Sequence, residues 1–388
     1  MSAPFSHPGV SAPSSHPGVS VRALSRPVWA LSRPALVLAL VALAGSAAVA
    51  GVWLFASPGG PPAGGLPSGG LPVGANEAGT LDSCTEIDEP GEYELAEDVD
   101  GEAGTCIEIT SDDVVFDGGD HRIDGTGAFG SAGIVVRADG DRTISNVTVR
   151  NVTVTGWDDA VRYVDAEGGA VVGTEVADSR VGLSLLNAGE IRVEDTVARE
   201  NRLRGISVME ASANNTLVGN EASDNDLFGI HLVEGGATNN TLVDNRATGN
   251  EFGVVLVGAH GNEIRASETN DNRIAGIWLS GADDNLVTDN TVSDRFYGIF
   301  LENLASGNEV TNNTAEDTEV GIRLRSADGN AITGNTVDGS GDHAILLISS
   351  DDNRVHDNRG TDNERGVGII RSSGNELGNN TVGNPALD

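Results

Sequence analysis

A chain of 388 residues has room for one large domain or two to three small ones, and its charge is lopsided, with 58 acidic against 23 basic residues and a net charge of −35. Every basic residue is Arg, and the first acid is Glu77, so residues 1–76 carry +3 and the remainder −38. That balance excludes a nucleic-acid partner, whose phosphates demand clustered cations; it reads as a halophilic, self-repelling soluble surface, with a cation-binding surface as the alternative.

Residues 1–34 are low in complexity: SAPFSHPGV (2–10) is nearly repeated as SAPSSHPGV (11–19), and LSRP occurs at 24–27 and 31–34. Pro, Ser and Gly throughout predict a disordered cytoplasmic segment, and His7 and His16, separated by filler, make no metal site. The next 22 residues, 35–56, are uncharged, and a helix rising ~1.5 Å per residue then spans a ~30 Å hydrocarbon core. Arg22, Arg26 and Arg33 precede it and no basic residue follows until Arg122, which places the N-terminus inside and the rest outside. A cleaved signal peptide ending at Ala48-Val49-Ala50 is the alternative, giving a secreted rather than a membrane-anchored protein. Residues 57–80 form a Pro/Gly linker, and the folded domain is 81–388.

That domain repeats. A Gly-apolar-x-apolar start falls at Gly205, Gly229, Gly253, Gly276, Gly298, Gly321, Ala344 and Gly366, at spacings of 22 to 24. Less regular starts precede it at Cys84, Cys106, Gly133, Ala160 and Gly182. Asn-x-apolar recurs in each regular unit, from Asn215 and Asn240 to Asn375, and five residues later comes a second Asn, broken only at Ser267. Apolar alternation (Ile230, Leu232; Ile277, Leu279) is strand periodicity, and no unit buries its face alone. The prediction is an all-β, single-stranded right-handed parallel β-helix of 12–13 coils, with Asn amides stacked in two ladders. At ~4.8 Å per coil the rod is about 60 Å long. Cys84 and Cys106 are one coil apart, which predicts a disulfide between equivalent positions.

Residues 84–384 resemble the pectate-lyase-like β-helix superfamily, and most of all its NosD-type group with carbohydrate-binding and sugar-hydrolase repeats. The opening CTEIDEPGEYELAEDVDGEAGTCIEITSDDVVFDGGDHRIDGTG (84–127) and NVTVRNVTVTGW (146–157) are similar to the first coils of exported archaeal members. The resemblance implies an exported β-helix, in some members polysaccharide-active or involved in maturation, and it brings no catalytic motif with it. Asp158-Asp159, His260-Gly261 and Arg323-Leu-Arg325 are fragments of a polygalacturonase-like site spread over more than four coils. A lyase site pairs Ca²⁺-binding acids with a basic residue. Asp112, Asp113, Asp117 and Asp120 offer such ligands, but no Lys exists and their Asp-Gly setting reads as turn chemistry. Asp342-His343 is a similar weak pair. No catalytic or metal residue is assigned and no cofactor is expected beyond Ca²⁺ at that cluster. A polysaccharide lyase or glycoside hydrolase is the alternative to a non-catalytic binding or scaffold module.

The outward strand slots carry the positional signal. Down the coils they read Ser207, His231, Val255, Trp278, Phe300, Arg323 and Leu346, and two residues further on Met209, Val233, Val257, Ser280, Glu302, Arg325 and Ile348. Trp278 and Phe300 in one slot on adjacent coils, beside His231, Glu302, Arg323 and Arg325, suit a sugar ring. Envelope polysaccharide is thus the expected ligand; another surface protein, a second copy and a covered stripe with no role are the alternatives. Of six Asn-x-Thr sequons, Asn214, Asn239, Asn312 and Asn379 fall one residue before a ladder position, so they should face out as glycan acceptors. Asn146 and Asn151 fall on the ladder spacing and are expected to be buried.

Overall fold

Each repeat is three short strands joined at three sharp corners. The computed structural model describes residues 79–383, apart from 141, 234 and 235, and all of them lie in the second of two units of the chain, Pro58–Asp388. The expected disordered segment, the transmembrane helix at 35–56 and nearly all the linker fall outside the described residues; the first strand, Gly79–Leu81, takes in the last two linker positions. No described helix is long and apolar enough to cross a membrane.

One coil shows the plan: a six-residue strand Phe228–Val233, then Thr241–Val243, then Arg246–Thr248. Equivalent strands stack in parallel into three sheets of 13, 14 and 11 strands, a β-solenoid of the right-handed type with about 13 turns. The 13-stranded sheet, built of the longer strands, is called the long-strand sheet below. Its register is the one expected, with Ser207 opposite His231, then Val255, Trp278, Phe300, Arg323 and Leu346 on successive coils. Inside, aliphatic residues stack by sheet: Ile230, Val254 and Ile277 from the first, Leu242, Ile264 and Val287 from the second, all fully buried.

The corners explain the Asn pairs. In the regular coils the ladder Asn follows a residue with φ near +55°, such as Asn214, Asp244, Asp284 or Asn312, a backbone region open at low cost only to Gly, Asn and Asp. The ladder Asn then points inward. Asn240 Nδ2 donates to Asn262 Oδ1 at 3.0 Å and to the Ser212 carbonyl at 3.1 Å, and Asn215 N–H donates to Asn240 Oδ1 at 2.9 Å. Buried corner polar groups are thereby satisfied. The structure has three ladders where the sequence showed two. The third, Asn201, Asn225, Asn250 and Asn272, continues as Asp294. It also accounts for the glycine column, since a Cβ on Gly229 would lie 2.8 Å from Asn250 Nδ2 and 2.7 Å from the Gly253 carbonyl.

Asn146 and Asn151 correct the expected register. Both are exposed, with φ of +56° and +51°, and their side chains donate outward to Asp113 and Asp117. The inward positions belong to Val147 and Val152, buried in the core, because the early coils fill these corners with aliphatic groups in place of amides. Cys84 and Cys106 form the expected disulfide, with Cα atoms 4.4 Å apart.

Candidate functional site

The outward face of the long-strand sheet collects the unusual side chains. Its central slot alternates with core residues, so Trp278 lies between the inward Ile277 and Leu279; Val255, Trp278 and Phe300 are buried yet are no part of the solenoid core. A second column runs beside it, from the residue just before each glycine: Arg204, Phe228, Phe252, Ala275, Tyr297 and Val320.

The two columns fold onto each other. Phe228 stacks on His231 with ring centroids 4.3 Å apart, Phe252 on Trp278 at 4.7 Å, and Tyr297 tilts against Phe300 at 4.9 Å. The stripe therefore faces out but is not open. Trp278 is 1 %, His231 2 % and Phe300 3 % exposed. An aromatic in one column reaches over the slot of the next, and this shelters side chains that the alternation alone places at the surface.

Arginine completes the patch. The Arg323 guanidinium lies 4.7 Å from the Tyr297 ring centroid and 5.3 Å from that of Phe300, and it donates to the Tyr297 hydroxyl. Arg325 lies 5.6 Å from the Phe300 ring and pairs with Glu302. Burial pushes the Glu302 carboxyl up, and Arg325 pulls against it. Arg323 and Arg325 remain partly exposed, which leaves a cationic, aromatic-backed edge as the accessible part of the predicted ligand residues. Cation–π contacts of this kind fix guanidinium planes for hydrogen bonding.

Asp158 and Asp159 sit side by side on one early coil, at the start of the strand Asp159–Val164 of the same sheet. Arg180 Nε donates to Asp158 at 2.5 Å and its Nη2 to Asp159 at 3.1 Å, while Arg162 holds Asp159 at 3.1 Å. Burial pushes Asp159 up against both arginines. Asp158 is also opposed by burial, but the Arg180 bond and the Gly130 N–H hold it below the usual carboxylate range. His260 contacts Asp283 at 3.6 Å in a corner on a distant coil, and Asp342 pairs with His343 and Arg365. These fragments stay separate. Three acids of the Asp112–Asp120 cluster are spent on the next coil: Asp112 accepts from Arg142 and Ser145, Asp113 from Asn146, and Asp117 from Arg150 and Asn151. The sequence reading missed Phe228, Phe252 and Tyr297; the signal was present as a second column, the residue before each glycine.

A family model described as "Periplasmic copper-binding protein (NosD)" matches residues 107–293 and 267–386. No curated protein matches the chain. Among solved structures, a variant of the periplasmic alginate epimerase AlgG has a TM-score of 0.60 at 14% identity over 74% of this chain and 76% of its own. The Azotobacter vinelandii mannuronan C-5 epimerase AlgE4 A-module scores 0.56 at 17% identity over 76% and 90%. The Dettilon tailspike protein scores 0.53 at 17% over 75% and 61%. At such identities these likenesses concern the fold alone. Copper, which the family description names, does not fit the donors present. Both cysteines are in the disulfide, His121, His231 and His260 lie on separate coils, His343 and His356 lie on different sheets of one coil, and no three His, Cys, Asp or Glu gather as a metal site among the described residues.

Proposed function

We propose, for a chain that belongs to the NosD family, that the solenoid is an extracytoplasmic binding module which takes envelope glycan along the outward face of its long-strand sheet. The observation that carries this reading is the Tyr297–Phe300–Arg323–Arg325 patch, where two guanidinium groups are held against aromatic faces with their edges partly exposed. Aromatic planes beside fixed donors match the apolar face and hydroxyl rim of a sugar ring. The family's periplasmic description and the disulfide support a place outside the cytoplasm. The apolar segment 35–56 supports tethering to the membrane. Asn214, Asn239, Asn312 and Asn379, all exposed on corners, are the proposed glycan acceptors.

The test is binding of the full-length chain to isolated envelope polysaccharide. Arg323→Gln with Arg325→Gln should weaken it at least tenfold, with some loss of stability because the buried Glu302 loses its partner. Trp278→Ala with Phe300→Ala should do the same, with a loss of stability, because both rings are buried. Unchanged binding in the arginine variant sinks the glycan reading. A concentration-dependent mass in light scattering, abolished by the same changes, would make this face a protein or self-interface instead.

A polysaccharide lyase or hydrolase is the second reading, and one observation favours it. Asp158 and Asp159 are adjacent, nearly buried carboxylates bridged by Arg180; burial pushes Asp159 up while Asp158 is held low, the pattern that separates an acid from a base. Polysaccharide cleavage by the native chain that Asp159→Asn abolishes would establish it.

A further inference from the structure

Arg204 lacks what the chain has in excess. Other half-buried arginines face an acid, as Arg150 faces Asp117, Arg162 Asp159, Arg199 Glu175 and Arg325 Glu302, and Arg323 rests on two rings. Among the described residues Arg204 has no carboxylate within 4.0 Å, and the acid that acts on it from further off, Asp159, is already paired with Arg162 and Arg180; its Nη1 meets the Met209 Sδ at 3.2 Å, and its buried Nε has no partner. A thioether is a weak acceptor. With 58 acids to 23 arginines, scarcity of acids does not explain this.

Its neighbours are orphaned too. Ser184, Ser207 and His231 occupy one outward slot on three successive coils and are 1 %, 0 % and 2 % exposed. Neither hydroxyl oxygen and neither ring nitrogen has a hydrogen-bond partner. Each such group costs about 1–3 kcal/mol when left unmet. The fold does not require them, because Val255 fills the same slot one coil further on.

We propose that Arg204, Ser184, Ser207 and His231 form an oxyanion subsite that receives the carboxylate of an acidic, hydroxylated sugar chain running along this face. A guanidinium fork matches a carboxylate with two parallel hydrogen bonds. Burial and the Arg204 charge favour the neutral imidazole of His231, which then offers one donor and one acceptor to ring hydroxyls. In the present arrangement the Arg204 arm runs along its own strand, Arg204–Met209, to the Met209 Sδ, and Phe228 lies on His231. Exchange of the thioether for a carboxylate swings that arm aside. The inference rests on reading this face as a ligand surface but not on the Phe300 patch, which lies three coils from His231 and four, about 19 Å, from Arg204.

The experiment is calorimetric titration of the full-length chain in 1 M NaCl with trigalacturonic acid, its methyl ester and acetate. The acid should bind at least tenfold tighter than the uncharged ester. Arg204→Gln should erase that preference at an unchanged thermal transition, and Arg204→Lys should keep part of it. Ser207→Ala should weaken acid binding three- to tenfold and carries the test if Arg204→Gln fails to fold. Equal binding of acid and ester, or a preference that survives Arg204→Gln, overturns the proposal, as does acetate binding as tightly as the trimer. Loss of ester binding in the Arg323→Gln, Arg325→Gln chain with the acid preference intact supports both readings. Retained ester binding there, with the preference still dependent on Arg204, removes the aromatic patch alone.

Discussion

Asp294 takes an amide's place in the third ladder. Its Oδ1 accepts from Asn272 N–H and Nδ2, both at 2.8 Å, and its Oδ2 accepts from the Thr269 hydroxyl at 2.6 Å. Thr269 stands where neighbouring coils carry Ala222, Ala247 and Val292, so the hydroxyl and the acid form a matched local exception. Burial still pushes the carboxyl up to about 6. An acid raised in the folded state favours folding while it is protonated; that contribution is complete below about pH 4, lost as pH rises through about 6, and absent at neutrality. Asp294→Asn restores an amide with no charge to bury. It should raise stability at pH 7 by about 2–3 kcal/mol, from a shift of about two units, and by little at pH 4. Urea denaturation of both chains at the two pH values measures this, and a gain independent of pH would show that the buried charge is not the cause. Asn146 and Asn151 teach a related lesson. Their five-residue offset was legible, but one residue of phase decides whether an Asn is the exposed turn residue or the buried rung, and only Val147 and Val152 in the core fix that phase.

At the level of the ladder, one rung serves two corners. Asn290 Oδ1 accepts the Ser267 N–H at 2.9 Å, while its Nδ2 donates to the Ile264 carbonyl and to Asn313 Oδ1, both at 2.9 Å. Asn290→Ala strands a buried donor and a buried acceptor, at about 1–3 kcal/mol each, so a loss near 3–5 kcal/mol is expected. Repeat architectures couple mainly nearest neighbours. Hydrogen exchange should therefore accelerate most in the coils around 264–313, and a uniform acceleration along the whole solenoid would contradict the ladder as a local device. Strand alternation, the glycine column and two ladders were legible because each recurs every coil. The third ladder was not, since after Asn272 it passes through Asp294, Thr318 and Ser340 before Asn363, and residue identity no longer marks it. The site was legible to the same extent: the period assigned Trp278, Phe300 and Arg323 to one outward slot, and the register agrees. Whether Phe252 and Tyr297 close over that slot depends on side-chain reach between columns, which a period does not encode.

Across the whole molecule, charge opposes the fold. With 58 acids and 23 arginines, one-to-one pairing still leaves 35 acids facing one another. Several pairs, such as Arg137 with Glu108 and Arg246 with Glu268, are partly exposed and contribute about 0–1 kcal/mol each. The coil rise sets the scale of the repulsion, because acids at equivalent positions on neighbouring coils are only ~4.8 Å apart along the axis. At 0.1 M salt the Debye length is ~10 Å, about two coils, whereas at 1 M it is ~3 Å, less than one. Each acid therefore acts on at least two coils to either side in dilute salt and on almost none in concentrated salt. The urea midpoint should rise steeply between 0.1 and 1 M NaCl and flatten beyond. NaCl is the appropriate salt, because sulfate also strengthens apolar burial through its exclusion from the surface. Sucrose, which is excluded without screening, should give a smaller, non-saturating rise. If NaCl and sucrose give the same curve, screening is not the cause, and the acidic surface has to be explained by what it binds rather than by the medium in which it folds.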